Sequence, residues 1–118
     1  MERHCRSAQA VARRLRSHPL ITAVYYPGLE DHPGHSLSQK QTEGFGGMVS
    51  FRLESPECAR RVLKKLRLIS FAESLGGVES LITLPALQTH GDIPPRERER
   101  LGICENLLRL SVGIEHVE

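Results

Sequence analysis

Met48-Val49-Ser50-Phe51-Arg52-Leu53 runs directly into Glu54-Ser55-Pro56-Glu57-Cys58-Ala59-Arg60-Arg61-Val62-Leu63, and the period of the apolar residues changes between the two pieces. Val49, Phe51 and Leu53 alternate with Ser50 and Arg52, the period of two that marks a half-buried strand. Beyond Leu53 the apolar positions Ala59, Val62, Leu63 and Leu66 recur at helical spacing. Ser55 stands where an N-cap belongs, and Pro56 occupies the first helical position, where its missing amide costs nothing. A strand passing straight into a helix sets the theme of a mixed fold.

Working outward, Gly44, Gly46 and Gly47 lead into this strand, and Ile21 to Tyr26 forms an earlier one ending at Pro27-Gly28. Asp31-His32-Pro33-Gly34-His35 has loop chemistry. From Glu2 to Ser17 the residues Cys5, Ala8, Val11, Ala12 and Leu15 mark an amphipathic helix that His18-Pro19 stops. Downstream, Leu68 to Ala72 and Leu81 to Leu84 are short strands around the glycine-containing run Glu73-Ser74-Leu75-Gly76-Gly77-Val78-Glu79-Ser80. Pro94-Pro95 opens a charged helical turn closed by Gly102, and Leu107 to Gly113 alternates again. Most connections are too short for parallel crossovers, so the expected architecture is α+β, a mostly antiparallel sheet with helices packed on it.

The 118 residues fit one domain with one core. No apolar stretch approaches the about 20 residues of a membrane span, and Glu2-Arg3-His4-Cys5 offers no signal-peptide core, so the cytosol is the expected compartment. Sixteen basic against fourteen acidic side chains leave +2, too little for a nucleic-acid footprint. Cys5, Cys58 and Cys104 are unpaired in number and widely spaced, which reads as reduced, buried thiols rather than disulfides or zinc. His32 and His35 flank Pro33-Gly34, with His90 elsewhere, and read as surface histidines, not metal ligands. Lys40, Lys64 and Lys65 are the only lysines, and none is placed like a Schiff-base lysine, whose amine needs a protected pocket. The arginines of the first helix spread around it instead of forming one phosphate-binding stripe.

Two places carry candidate chemistry. Alternation puts Leu108, Leu110 and Val112 on one sheet face and Leu107, Arg109 and Ser111 on the other. Arg109 in such a strand needs a partner, either an Asp or Glu of the same fold or a substrate carboxylate that its fork matches. The Glu73–Ser80 run, with adjacent glycines, allows close backbone approach to a ligand, or is simply a tight turn.

Phe71-Ala72-Glu73-Ser74-Leu75-Gly76-Gly77-Val78-Glu79-Ser80-Leu81-Ile82, then Pro85-Ala86, Thr89-His90 and Leu107-Leu108-Arg109-Leu110-Ser111-Val112-Gly113-Ile114-Glu115, resemble the C-terminal domain of the Cys/Met-metabolism pyridoxal-phosphate enzymes. Tyr26-Pro27-Gly28-Leu29, His32-Pro33, Gly44 to Phe51 and Pro95 to Ile103 extend the likeness over nearly the whole chain, which looks most like cystathionine γ-synthase and γ-lyase. The resemblance implies the small C-terminal domain of a fold-type I enzyme, with pyridoxal 5'-phosphate as cofactor and a homotetrameric, cytoplasmic whole enzyme of transsulfuration. It implies β/γ-elimination or γ-replacement on cystathionine or an activated homoserine.

By the same resemblance Arg109 grips the α-carboxylate of the amino-acid substrate. Ser74 lies at substrate and cofactor, Leu75 offers backbone there, and Glu73 faces the distal end of the substrate. The Ala-Glu-Ser wording favours a cystathionine-handling branch over methionine γ-lyases and sulfhydrylases. His116 departs from the acidic residue common after Gly-Ile-Glu. Residues 1–118 are then expected to be a substrate-recognition fragment, with the lysine-bearing cofactor domain before Met1, a final helix after Glu118, and no catalytic residue of its own. The alternative is a catalytically inactive α+β module that binds an amino acid or a partner protein.

Overall fold

In a computed structural model describing residues 1–118, the elements follow in the order α1 (Glu2–Arg16), β1 (Ile21–Tyr25), α2 (His35–Gln41), β2 (Met48–Leu53), α3 (Pro56–Lys65), β3 (Ser70–Phe71), β4 (Leu81–Thr83), α4 (Pro95–Arg100) and β5 (Leu107–Ser111). The strands form one sheet in the order β1-β2-β5-β4-β3. All neighbours are antiparallel except β3 and β4. The expected α+β class is observed.

Register carries the alternation of the sequence across the sheet. Val49 pairs with Leu110 and Phe51 with Leu108, and Leu110 pairs with Ile82, so these side chains share one face. Helices α1 and α3 close that face: Ala8 and Ala12 of α1 and Cys58 and Ala59 of α3 join the same buried cluster as the strand residues. Small residues on the helices let their backbones approach the large residues of the strands. Each fully buried Val, Leu, Ile or Phe side chain contributes about 1.5–3 kcal/mol relative to exposure. The start of α3 is as expected, with Ser55 Oγ accepting a hydrogen bond from the Cys58 amide at 3.1 Å and Pro56 in the first turn.

Tyr26 lies where β1 gives way to its turn and is fully buried. Its hydroxyl donates to the Gly46 carbonyl at 3.0 Å and reaches the Cys5 carbonyl at 3.4 Å, tying the glycine-rich entry of β2 to α1. Burial, with a smaller contribution from Cys5, pushes its phenol up to about 12.

Four local expectations need correction. The loop read at Asp31–His35 ends one residue early, because His35–Gln41 is helical. That helix buries no residue, so it leaves no apolar period to detect. His35 is not a free surface histidine: its Nδ1 is 2.7 Å from the Pro27 carbonyl oxygen and its ring stacks on Phe45 at 5.0 Å. Of the three free thiols only Cys58 is buried, while Cys5 and Cys104 are partly exposed. The strand read over Leu68–Ala72 shrinks to Ser70–Phe71, both exposed, at the sheet edge. It runs parallel to β4, and the return passes through residues 72–80 with no crossover helix, which a two-residue pairing permits.

Candidate functional site

The sheet face turned away from α1 and α3 carries a polar row. Ser50 and Thr83 both pair with Arg109, which places the arginine between them in the middle of the sheet. Thr83 is buried and its hydroxyl has no hydrogen-bond partner. The other arginine of this face, Arg52, is already engaged: its Nη2 donates to the Gly102 carbonyl at 2.8 Å and its guanidinium lies 5.7 Å from the centre of the Tyr25 ring.

Arg109 is not so engaged. It is part-exposed, and its contact within the chain is a long one, Nη2 donating to the Glu73 carbonyl at 3.4 Å. The chain's ion pairs are Arg6–Glu2, Arg16–Asp31, Arg60–Glu105 and Arg100–Glu97. Of the two partners open to Arg109 from sequence, an acidic residue of the same fold is therefore not what the structure provides. Its fork is directed to the edge of the Glu73–Ser80 turn with most of its donors free, a geometry suited to a planar anion.

Residues of β5 and its continuation meet that turn at every second position. Arg109 reaches Glu73, Ser111 Oγ accepts from the Gly76 amide at 2.9 Å, and the Gly113 amide donates to Ser80 Oγ at 2.9 Å. Glu115 completes the series: Oε1 accepts from the Ser80 amide at 2.5 Å and Oε2 from the Ser80 hydroxyl at 2.8 Å. Between them the Ile114 amide donates to the Val78 carbonyl at 2.8 Å.

Two glycines make this approach possible. Gly76 has φ of +78°, a conformation that disfavours any side chain, and directly follows Leu75. A Cβ on Gly113 would lie 2.6 Å from the carbonyl carbon of Glu79 and closer still to the Val78 carbonyl oxygen and the Glu115 carboxylate, so only glycine lets the two segments touch.

Burial pushes the Glu115 carboxyl up, but the hydrogen bonds from the Ser80 amide, its own amide and the Ser80 hydroxyl, with the nearby His4, outweigh that and hold it below the usual carboxylate range. His4 itself is fixed from α1, its Nδ1 2.7 Å from the Val112 carbonyl oxygen.

Of the residues singled out from sequence, Arg109 and Glu73 are brought into contact through the Glu73 carbonyl, while the Glu73 side chain, Ser74 and Leu75 are exposed along the same turn. Ser111, Gly113 and Glu115 were not singled out. The signal was present, since the period of two that isolates Arg109 continues through all three. The cluster offers a guanidinium, the exposed Glu73 carboxylate and exposed backbone, groups whose charges complement a zwitterion.

The pyridoxal phosphate that the resemblance implies does not find its attachment here. Lys40 on α2 and Lys64 and Lys65 on α3 are all exposed, and α3 packs on the sheet face opposite to Arg109. None of them has the enclosed pocket that a carbonyl cofactor's lysine needs.

Comparison with known proteins identifies the family. The family model for Cys/Met metabolism PLP-dependent enzymes matches residues 1–118. A cystathionine beta-lyase of Coxiella burnetii is 51% identical over 118 residues, covering 99% of this chain and 30% of the lyase. An L-methionine gamma-lyase of Fusobacterium nucleatum subsp. polymorphum is 50% identical over 119 residues, with 100% and 30% covered, so overall identity does not separate the branches. The crystal structure of cystathionine gamma synthase from Xanthomonas oryzae pv. oryzae in complex with aminoacrylate and cysteine superposes with a TM-score of 0.92 at 47% identity, covering 99% of this chain and 30% of that one. The chain thus spans about a third of the length of the relatives it matches, and it belongs to the Cys/Met-metabolism PLP-dependent enzymes.

Proposed function

We propose that residues 1–118 act as the C-terminal substrate-recognition domain of a PLP-dependent enzyme of sulfur amino-acid metabolism, working on cystathionine or an activated homoserine by β/γ-elimination or γ-replacement. The cofactor domain precedes this segment and a final helix follows it. The whole enzyme is a cytoplasmic homotetramer serving amino-acid biosynthesis through transsulfuration. The observation that carries the reading is the Arg109 guanidinium, centred on a polar sheet face, without a carboxylate partner and beside the Glu73 carbonyl. The relatives' names supply the substrate class.

In this reading pyridoxal phosphate supplies the electron sink when bound. This chain's residues supply orientation. Arg109 holds the α-carboxylate by two parallel N–H bonds, which fixes the amino acid's direction as well as its position. Ser74 and the Leu75 backbone line the reacting end. Glu73, exposed on the same turn, meets the polar distal end of the substrate and chooses among substrates. The domain catalyses by placing the substrate, without moving protons of its own.

Arg109→Lys in the enzyme that carries this chain is the test. Replacing the fork by a point charge is expected to raise KM for cystathionine tens- to thousands-fold, about 2–5 kcal/mol, while the unfolding midpoint changes little. Unchanged KM with lost stability would make Arg109 a structural residue. A second reading, an inactive module that binds an amino acid or a partner protein, draws support from the three exposed lysines. Tight amino-acid binding to the cofactor-free chain by calorimetry, with no turnover in any extended form, would favour it.

A further inference from the structure

The turn that carries Glu73, Ser74 and Leu75 has no regular secondary structure to hold it, and its side chains at these three positions are exposed. Its position relative to Arg109 must come from other contacts. Besides the backbone bond from the Ile114 amide to the Val78 carbonyl at 2.8 Å, three involve side chains: the Gly76 amide on Ser111 Oγ at 2.9 Å, the Gly113 amide on Ser80 Oγ at 2.9 Å, and Ser80 on both oxygens of Glu115. Ser111 is buried and two residues from Arg109 on the same strand. Ser80 is buried too, at the far end of the turn.

We infer that Ser111 and Glu115 are positioning residues that fix the distance between the Arg109 fork and the Glu73–Leu75 edge of the turn, and so set the length of substrate the site accepts. The inference rests on the substrate-binding reading above and deepens it. The physical ground is the rigidity of the arrangement. A β-strand rises by about 3.3–3.4 Å per residue, which sets the spacing of Arg109 and Ser111 on one face of β5, and beyond the strand's end the turn is pinned again at Gly113 and Glu115 of its continuation. Ser111 fixes the turn next to Leu75, and Glu115 fixes its end. With either pin removed, the turn keeps its glycine-permitted shape and loses its spacing from Arg109. Neither side chain is required to touch the substrate, so both act through Glu73, Ser74 and Leu75. The ionised form of Glu115 is the one that accepts both Ser80 bonds, consistent with the lowered carboxyl.

The experiment compares Ser111→Ala, Glu115→Gln and the conservative Ser111→Thr in the enzyme that carries this chain. Kinetics are measured on cystathionine and on the shorter substrate homocysteine, with thermal unfolding and hydrogen exchange at the Gly76 amide. Ser111→Ala and Glu115→Gln are expected to raise KM for cystathionine about tenfold or more with kcat within about threefold. They should change the cystathionine-to-homocysteine ratio of kcat/KM by at least about fivefold. Ser111→Thr, which keeps the hydroxyl, should restore the wild-type ratio. Gly76 amide exchange should accelerate about tenfold or more in Ser111→Ala alone. An unchanged substrate ratio in both variants, or a Gly76 amide that exchanges as fast in the wild type as in Ser111→Ala, overturns the inference. If the wild type turns over neither substrate, the proposed function has failed, and the exchange readout still decides: protection lost only in Ser111→Ala supports the pinning, and no protection in the wild type refutes it.

Discussion

The two faces of the sheet are closed by different means. Val49, Phe51, Leu108, Leu110 and Ile82 meet two helices through small residues, and nothing polar has to be satisfied between them. On the opposite face Arg109 and Ser111, with Ser50 and Thr83 paired beside the arginine, meet a turn instead, through single hydrogen bonds from one side chain or one amide at a time. Area burial is undirected and accounts for stability, while point contacts are directional and leave donors over for a ligand. One five-strand sheet thus holds the fold with one side and leaves a polar row with unused donors on the other.

The largest effect belongs to the covered face. Leu108 is completely buried, so Leu108→Ala is expected to lower the unfolding free energy by about 2–5 kcal/mol in denaturant melts. A loss under about 1 kcal/mol would mean that the helices do not carry the stability. On the open face Glu73→Leu should leave the melt alone and shift the preference between cystathionine and a compact apolar substrate by about 1–3 kcal/mol in kcat/KM. Equal losses on both substrates would show that Glu73 supports structure instead of choosing.

Smaller again is the cap of α3, one of the two covering helices. Ser55→Ala removes the acceptor of the Cys58 amide and is expected to cost about 1 kcal/mol, with Ser55→Asp retaining most of it. An unchanged midpoint would show that the amide finds water without penalty. The last effect tests the pinned turn by pH. The folded-state pKa of Glu115 is lowered, so its stabilisation is fully present above the unfolded carboxylate value and is lost as pH falls through the folded one. The stability gap between wild type and Glu115→Gln should therefore be constant near neutrality and close on acidification below about pH 4. A gap that widens on acidification contradicts the assignment.

The covered face was legible because its signals are periodic and local. The alternation of β2 and β5, the helical spacing of α1 and the Ser55-Pro56 start of α3 each fall within a few residues of sequence. Helix α2 escaped notice because it buries nothing, and the parallel β3–β4 contact because two residues cannot declare a direction. At the site, Arg109 was visible as a charge in an apolar alternation. Its lack of an acidic partner was not, since that depends on residues distant in sequence. The same holds for Glu115: its grip on Ser80 spans 35 positions and no local pattern announces it.

The central claim is that Arg109 is kept free for a ligand carboxylate. A double-mutant cycle addresses it directly: the affinity of an amino-acid inhibitor and of its α-carboxamide, each for wild type and Arg109→Lys in the enzyme that carries this chain. The account predicts that the substitution weakens the carboxylate ligand far more than the carboxamide, a coupling of about 2 kcal/mol or more. Equal weakening of both ligands, with coupling within about 0.5 kcal/mol of zero, would contradict it.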